Sequence, residues 1–368
     1  MREGWTYKTF GEVGTFLRGK SIQKADFVEK GLPCIHYGQI HTKFGISVDR
    51  HLSEISQELY NKSIIASPGD VIIAITSEDL EGSCKSTAWL GDYDIAVSAH
   101  AAVFKHNLNP KFIAYYLRSK SFYIEKEKYA RGFKVMEIKP TDIAKIPLPI
   151  PSADIQAKVV AELDKINELI TQKESQLRDL DNLAQSIFYE MFGNPVENEK
   201  GWEVKKLGEV CELKAGKAIK ASELSDDNKY PCYGGNGVRG YINKCSHETS
   251  APIIGRQGAY CGTVNYAKAP FYATEHAVVV TTKEQLEQNW LYYTLINLKL
   301  SRFAKGQAQP GIAVGNLNEY VNLPLPPLPL QQSFASKVSA IETQKASIKQ
   351  SIHDLETLLA SRMQYWFD

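Results

Sequence analysis

Apolar residues between Ile155 and Met191 fall alternately three and four positions apart, with one place of the series taken by Lys173: Leu163, Ile166, Ile170, Leu177, Leu180, Ala184, Ile187 and Met191. That spacing is a heptad seam and predicts a long helix zipped against another. A second seam, with Val338, Ile341, Ile348, Ile352, Leu355, Leu359 and Trp366, aligns with the first without a gap at an offset of 175 positions, as from Leu163 to Val338. The partner helix is therefore expected within the same chain. At ~1.5 Å per residue, a helix of about 37 residues makes a rod of about 55 Å. Charges interrupt each seam where the aligned position of the other is apolar: Lys173 matches Ile348, Lys345 matches Ile170, and Arg362 matches Ile187. A charged seam position costs stability and fixes register, so such interruptions favour one pairing.

Shorter patterns lie outside the seams. Pro68-Gly69-Asp70 leads into the apolar run 71–75, and a second run covers 95–104. Both read as buried strands bounded by turns. After Asn109-Pro110, residues 112–117 read as an amphipathic helix entered through a proline. The order recurs later: Pro252-Ile253-Ile254, then 277–280, then 290–295. A repeat is visible from the start, since Gly4-Trp5-Thr6-Tyr7-Lys8-Thr9-Phe10-Gly11-Glu12-Val13 returns as Gly201-Trp202-Glu203-Val204-Lys205-Lys206-Leu207-Gly208-Glu209-Val210. Each copy continues to a Gly-Lys pair, Gly19-Lys20 and Gly216-Lys217. Each segment closes on a proline-rich hinge, 146–151 and 323–329, where alternating prolines forbid helix and stiffen the chain. The fold class expected is α+β, with two mixed α/β segments, 1–150 and 194–325, and two long coiled-coil helices, 151–193 and 326–368. This is a duplicated chain with an internal pseudo-twofold repeat.

That order, Gly-Trp, variable α/β segment, Pro-Leu-Pro hinge and heptad helix given twice, resembles the specificity subunit of type I restriction-modification systems. The second segment adds Tyr230-Pro231-Cys232-Tyr233-Gly234-Gly235-Asn236-Gly237, Ile253-Ile254-Gly255-Arg256-Gln257-Gly258 and Thr274-Glu275-His276-Ala277, runs like those of that family's target-recognition domains. The resemblance implies two such domains held apart by an antiparallel helix pair. It implies a non-catalytic chain that reads a split sequence in double-stranded DNA and docks two methyltransferase subunits, with restriction/translocase subunits completing the complex. S-adenosylmethionine and ATP would be bound by those partners and no cofactor by this chain. The first segment lacks the Tyr-Gly-Gly-Asn and Gly-Arg-Gln-Gly runs, so the two half-sites should differ.

Charge agrees once it is divided along the chain. The total is +1, but residues 1–150 carry 20 basic and 17 acidic groups and residues 201–325 carry 14 and 11, whereas 151–200 has 5 against 10. The positive excess sits outside the helices. It is smaller than the six to ten phosphate contacts of a protein that holds DNA alone, so affinity is expected to need a partner. No apolar run approaches the ~18 residues of a membrane span, and Met1-Arg2-Glu3-Gly4-Trp5 has no signal-peptide core. The expected location is cytoplasmic, with no membrane partner. The six cysteines form no CxxC pair and are expected as reduced thiols.

Catalytic chemistry finds little support. Gly14-Thr15-Phe16-Leu17-Arg18-Gly19-Lys20-Ser21 matches a P-loop formally, but no apolar strand precedes it, and the repeat has Cys211 and Ala218 at its ends. A nucleotide hydrolase using Lys20 is thus an alternative with poor context. A coiled-coil adaptor without base readout is another. Asn109-Pro110-Lys111-Phe112 resembles an adenine-methyltransferase motif with a lysine in place of proline, and reads better as a helix entry. The histidines form no metal-ligand cluster, and His100 and His276, at matching positions beside buried strands, read as satisfied structural residues. For DNA contact, long polar side chains on glycine-rich loops are the candidates, since glycine admits close backbone approach and Arg, Asn or Gln can chelate base edges. These are Lys217, Asn236, Arg239, Arg256, Gln257, Lys305, Gln307 and Gln309 in the second segment. Their weaker analogues in the first are Lys20, Gln39, His41, Lys43, Lys85, Arg131 and Lys134.

Overall fold

The apolar runs become the central strands of two sheets built on one plan. A computed structural model describes residues 4–132, 135–306 and 309–368. In the first segment Thr15–Arg18, Ala101–Lys105, Val71–Ala74, Ser86–Trp89 and Ser47–Val48 pair in that order. In the second, Cys211–Ala215, Ala277–Thr282, Ala251–Gly255 and Val264–Ala267 repeat the first four places. Val71–Ala74 and Ala251–Gly255 are buried throughout, which is why they read as continuous apolar runs and not as alternating ones. A helix covers each sheet: Pro110–Tyr116 in the first segment and Gln288–Asn297 in the second.

A smaller sheet accompanies each. Leu32–Ile35 runs parallel to Ile95–Val97, and Tyr230–Gly234 runs parallel to Tyr272–Ala273. The run 95–104, expected as one strand, is therefore two. Its first part belongs to the small sheet and Ala101–Lys105 to the large one, with a turn between them closed by the Ala101 N–H donating to Ser98 O at 3.0 Å. Ser98 and His100 interrupt the run at this turn, but two polar residues do not announce a change of sheet when the apolar parts on both sides are buried.

The proline hinges are strands. Pro147–Ile150 pairs antiparallel with Thr6–Thr9, and Asn322–Leu325 pairs with Glu203–Lys206. The Gly-Trp repeat and the proline repeat thus recur together because each is the other's partner, with the prolines on a two-stranded ribbon where a missing N–H is tolerated. The second hinge is shorter than expected. The helix Leu328–Phe367 has already begun at Leu328, with Pro329 in its first turn, where no intrahelical N–H is required.

The long helices are Ala153–Phe192 and Leu328–Phe367. The chain divides into two compact units, Met1–Gln172 with Ser351–Asp368, and Lys173–Gln350. In the first unit the start of one helix meets the end of the other: Val159, Val160 and Leu163 share a core with Phe367, Phe112, Phe104 and Phe10, flanked by Leu359 and Met363. In the second unit the ends are reversed, with Phe188 and Phe192 around Phe334 at ring-centroid distances of 5.6 and 5.4 Å. The helices are therefore antiparallel, and positions matched by the repeat do not face each other. The seam charges are answered differently from the expectation. Lys345 Nζ lies 2.7 Å from both Asp181 Oδ1 and Glu342 Oε1, and Arg362 is held by Glu162, which also accepts from Trp366 Nε1 at 3.0 Å. All six cysteines are free thiols. Among the described residues, no helix is long and apolar enough to cross a membrane.

Candidate nucleic-acid interface

In the second unit four loops converge at the end of the sheets. Strand Tyr230–Gly234 turns through Gly235 and Asn236, with Gly237 at φ +98°, into Gly237–Ile242. Strand Ala251–Gly255 delivers Arg256, whose N–H donates to His276 O at 3.1 Å and whose carbonyl accepts from Ile312 N–H at 2.9 Å. The Gly258 N–H reaches Pro310 O at 2.9 Å, tying 256–258 to the loop that carries Lys305, Gln309 and Gly311. Glycine is required where these backbones touch, since a Cβ on Gly255 would stand 2.2 Å from Gly235 O. The floor of the site is consequently bare backbone.

Polar groups are left over around this floor. Arg256 Nε, Asn265 Nδ2, Thr274 Oγ1, Glu275 Oε2 and His276 Nδ1 are buried without a hydrogen-bond partner, five of the eight such side-chain atoms among the described residues. Buried polar atoms are nearly always paired, and each orphan costs about 1–3 kcal/mol. Their concentration in one place marks a site arranged for something other than stability. His276 is therefore not the satisfied structural residue expected; both it and His100 lie in the turn that precedes a strand, outside the strand's packing.

The first unit carries the same scaffold. Ile75 N–H donates to His100 O at 2.9 Å, Ile138 N–H donates to Ile75 O at 3.0 Å, and Thr76-Ser77 pairs with Met136-Glu137. Ser98 N–H donates to Ile35 O, as Thr274 N–H does to Tyr233 O. These bonds equate Ile75 with Arg256, Thr76 with Gln257, Ala99 with Glu275, His100 with His276, Arg131 with Lys305 and Tyr37 with Gly235. One backbone arrangement thus holds two different sets of side chains. Tyr37 stacks obliquely on His100, with ring centroids 4.9 Å apart. An open cleft of about 1540 Å³ lies beside them, bordered also by His41, Thr76 and Lys85.

A family model for the type I restriction modification DNA specificity domain matches residues 2–179 and 199–357. The chain belongs to this family. It is 32% identical over 250 residues to a type I restriction enzyme specificity subunit, EcoprrI, of Escherichia coli, an alignment covering 65% of this chain and 62% of that relative. Among solved structures it shares the fold of a type I restriction-modification S subunit from M. genitalium, at 16% identity and a TM-score of 0.57, covering 98% of this chain and 95% of that one. A chain described under complex assembly and conformational transition of the type I R-M system matches with a TM-score of 0.61 at 20% identity, covering 100% and 98%.

Within this specificity fold the sequence candidates separate. Asn236, Arg256, Gln257, Lys305 and Gln309 lie on the converging loops, whereas Arg239, expected on a loop, lies within the strand Gly237–Ile242; all but Arg256 are exposed, and Arg256 is half-buried. Arg239 folds its aliphatic stem over Gly234, where a Cβ would meet its Cδ at 2.4 Å. Lys20 and Lys217 are exposed and equivalent. Each follows a glycine packed against the end of a small-sheet strand, Ile95–Val97 or Tyr272–Ala273, where a Cβ would lie 2.0 Å from Ser98 O or Ala273 O. The Gly-Lys repeat thus marks a backbone crossing, and Thr15–Arg18 is a strand, leaving no P-loop to cradle a phosphate. Gln39 and His41 are turned inward: Gln39 accepts from His36 N–H and donates to Ser53 Oγ, and His41 Nε2 lies 3.0 Å from Thr76 O. Lys85 Nζ donates to His41 O at 2.8 Å, and burial, with Arg118 nearby, holds its ammonium below the ordinary lysine range. Lys43 is exposed at the end of Tyr37–Thr42, and Arg131 lies 3.5 Å from Asp142. Lys134 and Gln307 lie outside the described residues. Sequence reasoning passed over Glu275, Asn265, Thr76 and Tyr37. Asn109 resolves as a helix cap, its Oδ1 accepting from the N–H groups of Lys111 and Phe112.

Proposed function

We propose that this chain is the DNA-reading subunit of a type I restriction-modification complex, with residues 1–150 and 194–325 as its two target-recognition domains. The observation that carries the reading is the duplicated loop scaffold bearing different side chains. A shared frame with exchanged contact residues suits two unlike half-sites in one bipartite target. Asn236, Arg239, Arg256, Gln257, Lys305, Gln307 and Gln309 would contact one half-site, and Lys43, Arg131 and Lys134 the other, with Lys20 and Lys217 on phosphates. The inward-turned Gln39, His41 and Lys85 would shape the first site. Phosphate contacts position the duplex and base-edge contacts specify it. Two methyltransferase subunits dock on the long helices and bind S-adenosylmethionine, and restriction/translocase subunits use ATP.

Methylome sequencing of a naive host expressing the chain with its methyltransferase tests this. The expected result is a split adenine-methylated motif that disappears without the chain. A complex that assembles and yields no new motif overturns the reading in favour of a structural adaptor.

A further inference from the structure

We propose that Arg256 and Glu275 together read one guanine–cytosine pair in the half-site of the second domain, an inference that rests on the DNA-reading function above. The two residues leave neighbouring strand ends, and the Arg256 N–H bond to His276 O fixes their spacing at the backbone. They do not pair with each other. Among the described ion pairs Arg256 has none, and Glu275 has only His276, with Oε1 3.3 Å from Nε2. The Glu275 and His276 side chains are 41% and 39% exposed, so a carboxylate and a guanidinium border the same bare backbone floor, each with one atom walled in and unpartnered.

An acidic side chain is misplaced if this edge meets only phosphates, which repel it. It has a use if the edge meets bases. Guanine offers two acceptors, N7 and O6, which match a guanidinium, and its partner cytosine offers the N4 amino group, which a carboxylate accepts. An adenine–thymine pair presents its N6 donor between two acceptors, so it offers a carboxylate a partner but no two adjacent acceptors for a bidentate guanidinium. Gly258, where a Cβ would meet nothing within 4 Å, leaves room for the base edge to approach. At the equivalent places the first domain has Ile75 and Ala99, which can make neither contact. The charged readout belongs to one half-site alone.

The test compares methylomes from the intact complex carrying the unaltered chain, Glu275→Gln and Arg256→Lys. The expected result is that discrimination at one guanine–cytosine position falls on the order of ten- to hundredfold in both variants, while the other half-site keeps its bases. That unchanged half reports that the complex is folded. Motifs unaltered at every position, or relaxed at an adenine–thymine position, overturn the assignment. Where a variant abolishes methylation, fragments bound by the purified complex are selected from a library randomised in that half-site. Retention of guanine–cytosine there overturns it equally. Absence of any split motif with the unaltered chain removes the DNA-reading function itself, a separate result.

Discussion

Two glutamines at the entries to the long helices perform one structural task twice. Gln156 Oε1 accepts from the Asn109 N–H at 3.0 Å, and its Nε2 donates to Pro151 O at 3.0 Å. Gln331 does the same between Glu287 N–H, at 3.0 Å, and Pro326 O, at 2.8 Å. Both side chains are nearly inaccessible, at 4% and 2% exposure. Each amide thus ties the proline strand to the cap of the helix covering the sheet. Gln156→Leu removes two hydrogen bonds and strands a backbone donor and a backbone acceptor at about 1–3 kcal/mol each, partly offset by the added apolar contact. A net loss of about 2–4 kcal/mol follows, and for a unit of this size that lowers the melting temperature by roughly 5–15 °C. Gln156→Glu keeps the acceptor for Asn109 but sets a carboxylate against the Pro151 carbonyl. Its carboxyl pKa should be raised in the folded state, so its deficit relative to the parent shrinks below about pH 4 and grows as pH rises. The assay is thermal melting by circular dichroism, with amide hydrogen exchange at Asn109 and Glu287. In Gln156→Leu the Asn109 amide should lose protection while Glu287 keeps it, and Gln331→Leu should reverse the pattern. A melting temperature within 1 °C of the parent, with Asn109 still protected, refutes the clamp.

Gly19→Ala and Gly216→Ala place a methyl group 2.0 Å from a backbone oxygen, so each should cost about 2 kcal/mol or more and reduce soluble yield, measured against Gly45→Ala, where the space is open. Burial depresses the His106 pKa to about 4, and its Nδ1 accepts from Leu108 N–H in the neutral form. The unfolded chain therefore binds the extra proton first: this group's contribution is constant above about pH 6.5 and falls by about 1.4 kcal/mol per pH unit on acidification toward pH 4. His106→Leu should flatten that part of the stability profile in urea titrations, and an unchanged slope counts against the assignment. Removing one turn from Ala153–Phe192 should change the number of unread base pairs in the methylated motif, and an unchanged spacer in an assembled complex refutes control of spacing by the helix.

The seams, the duplication, the covering helices and the strands flanked by turns were legible because each has a period or a punctuation that burial imposes locally. A helix facing another must repeat its apolar positions every three or four residues, and a cap such as Asn109 must precede the turn that it satisfies. Partner choice has no such local sign. Only the tertiary structure showed that the proline run pairs with the Gly-Trp strand, that residues 95–104 change sheets, and that Asp181 and Glu162 answer Lys345 and Arg362 across an antiparallel seam. The candidate site divided in the same way. The glycine-rich runs drew attention to Asn236, Arg256 and Gln257, since bare backbone with long polar side chains is itself a sequence pattern. Glu275 lay outside the candidates, which were Lys, Arg, Asn, Gln and His side chains. Its meaning depends on Arg256 standing beside it, nineteen positions away in sequence, a proximity created by the hydrogen bond between two strand ends.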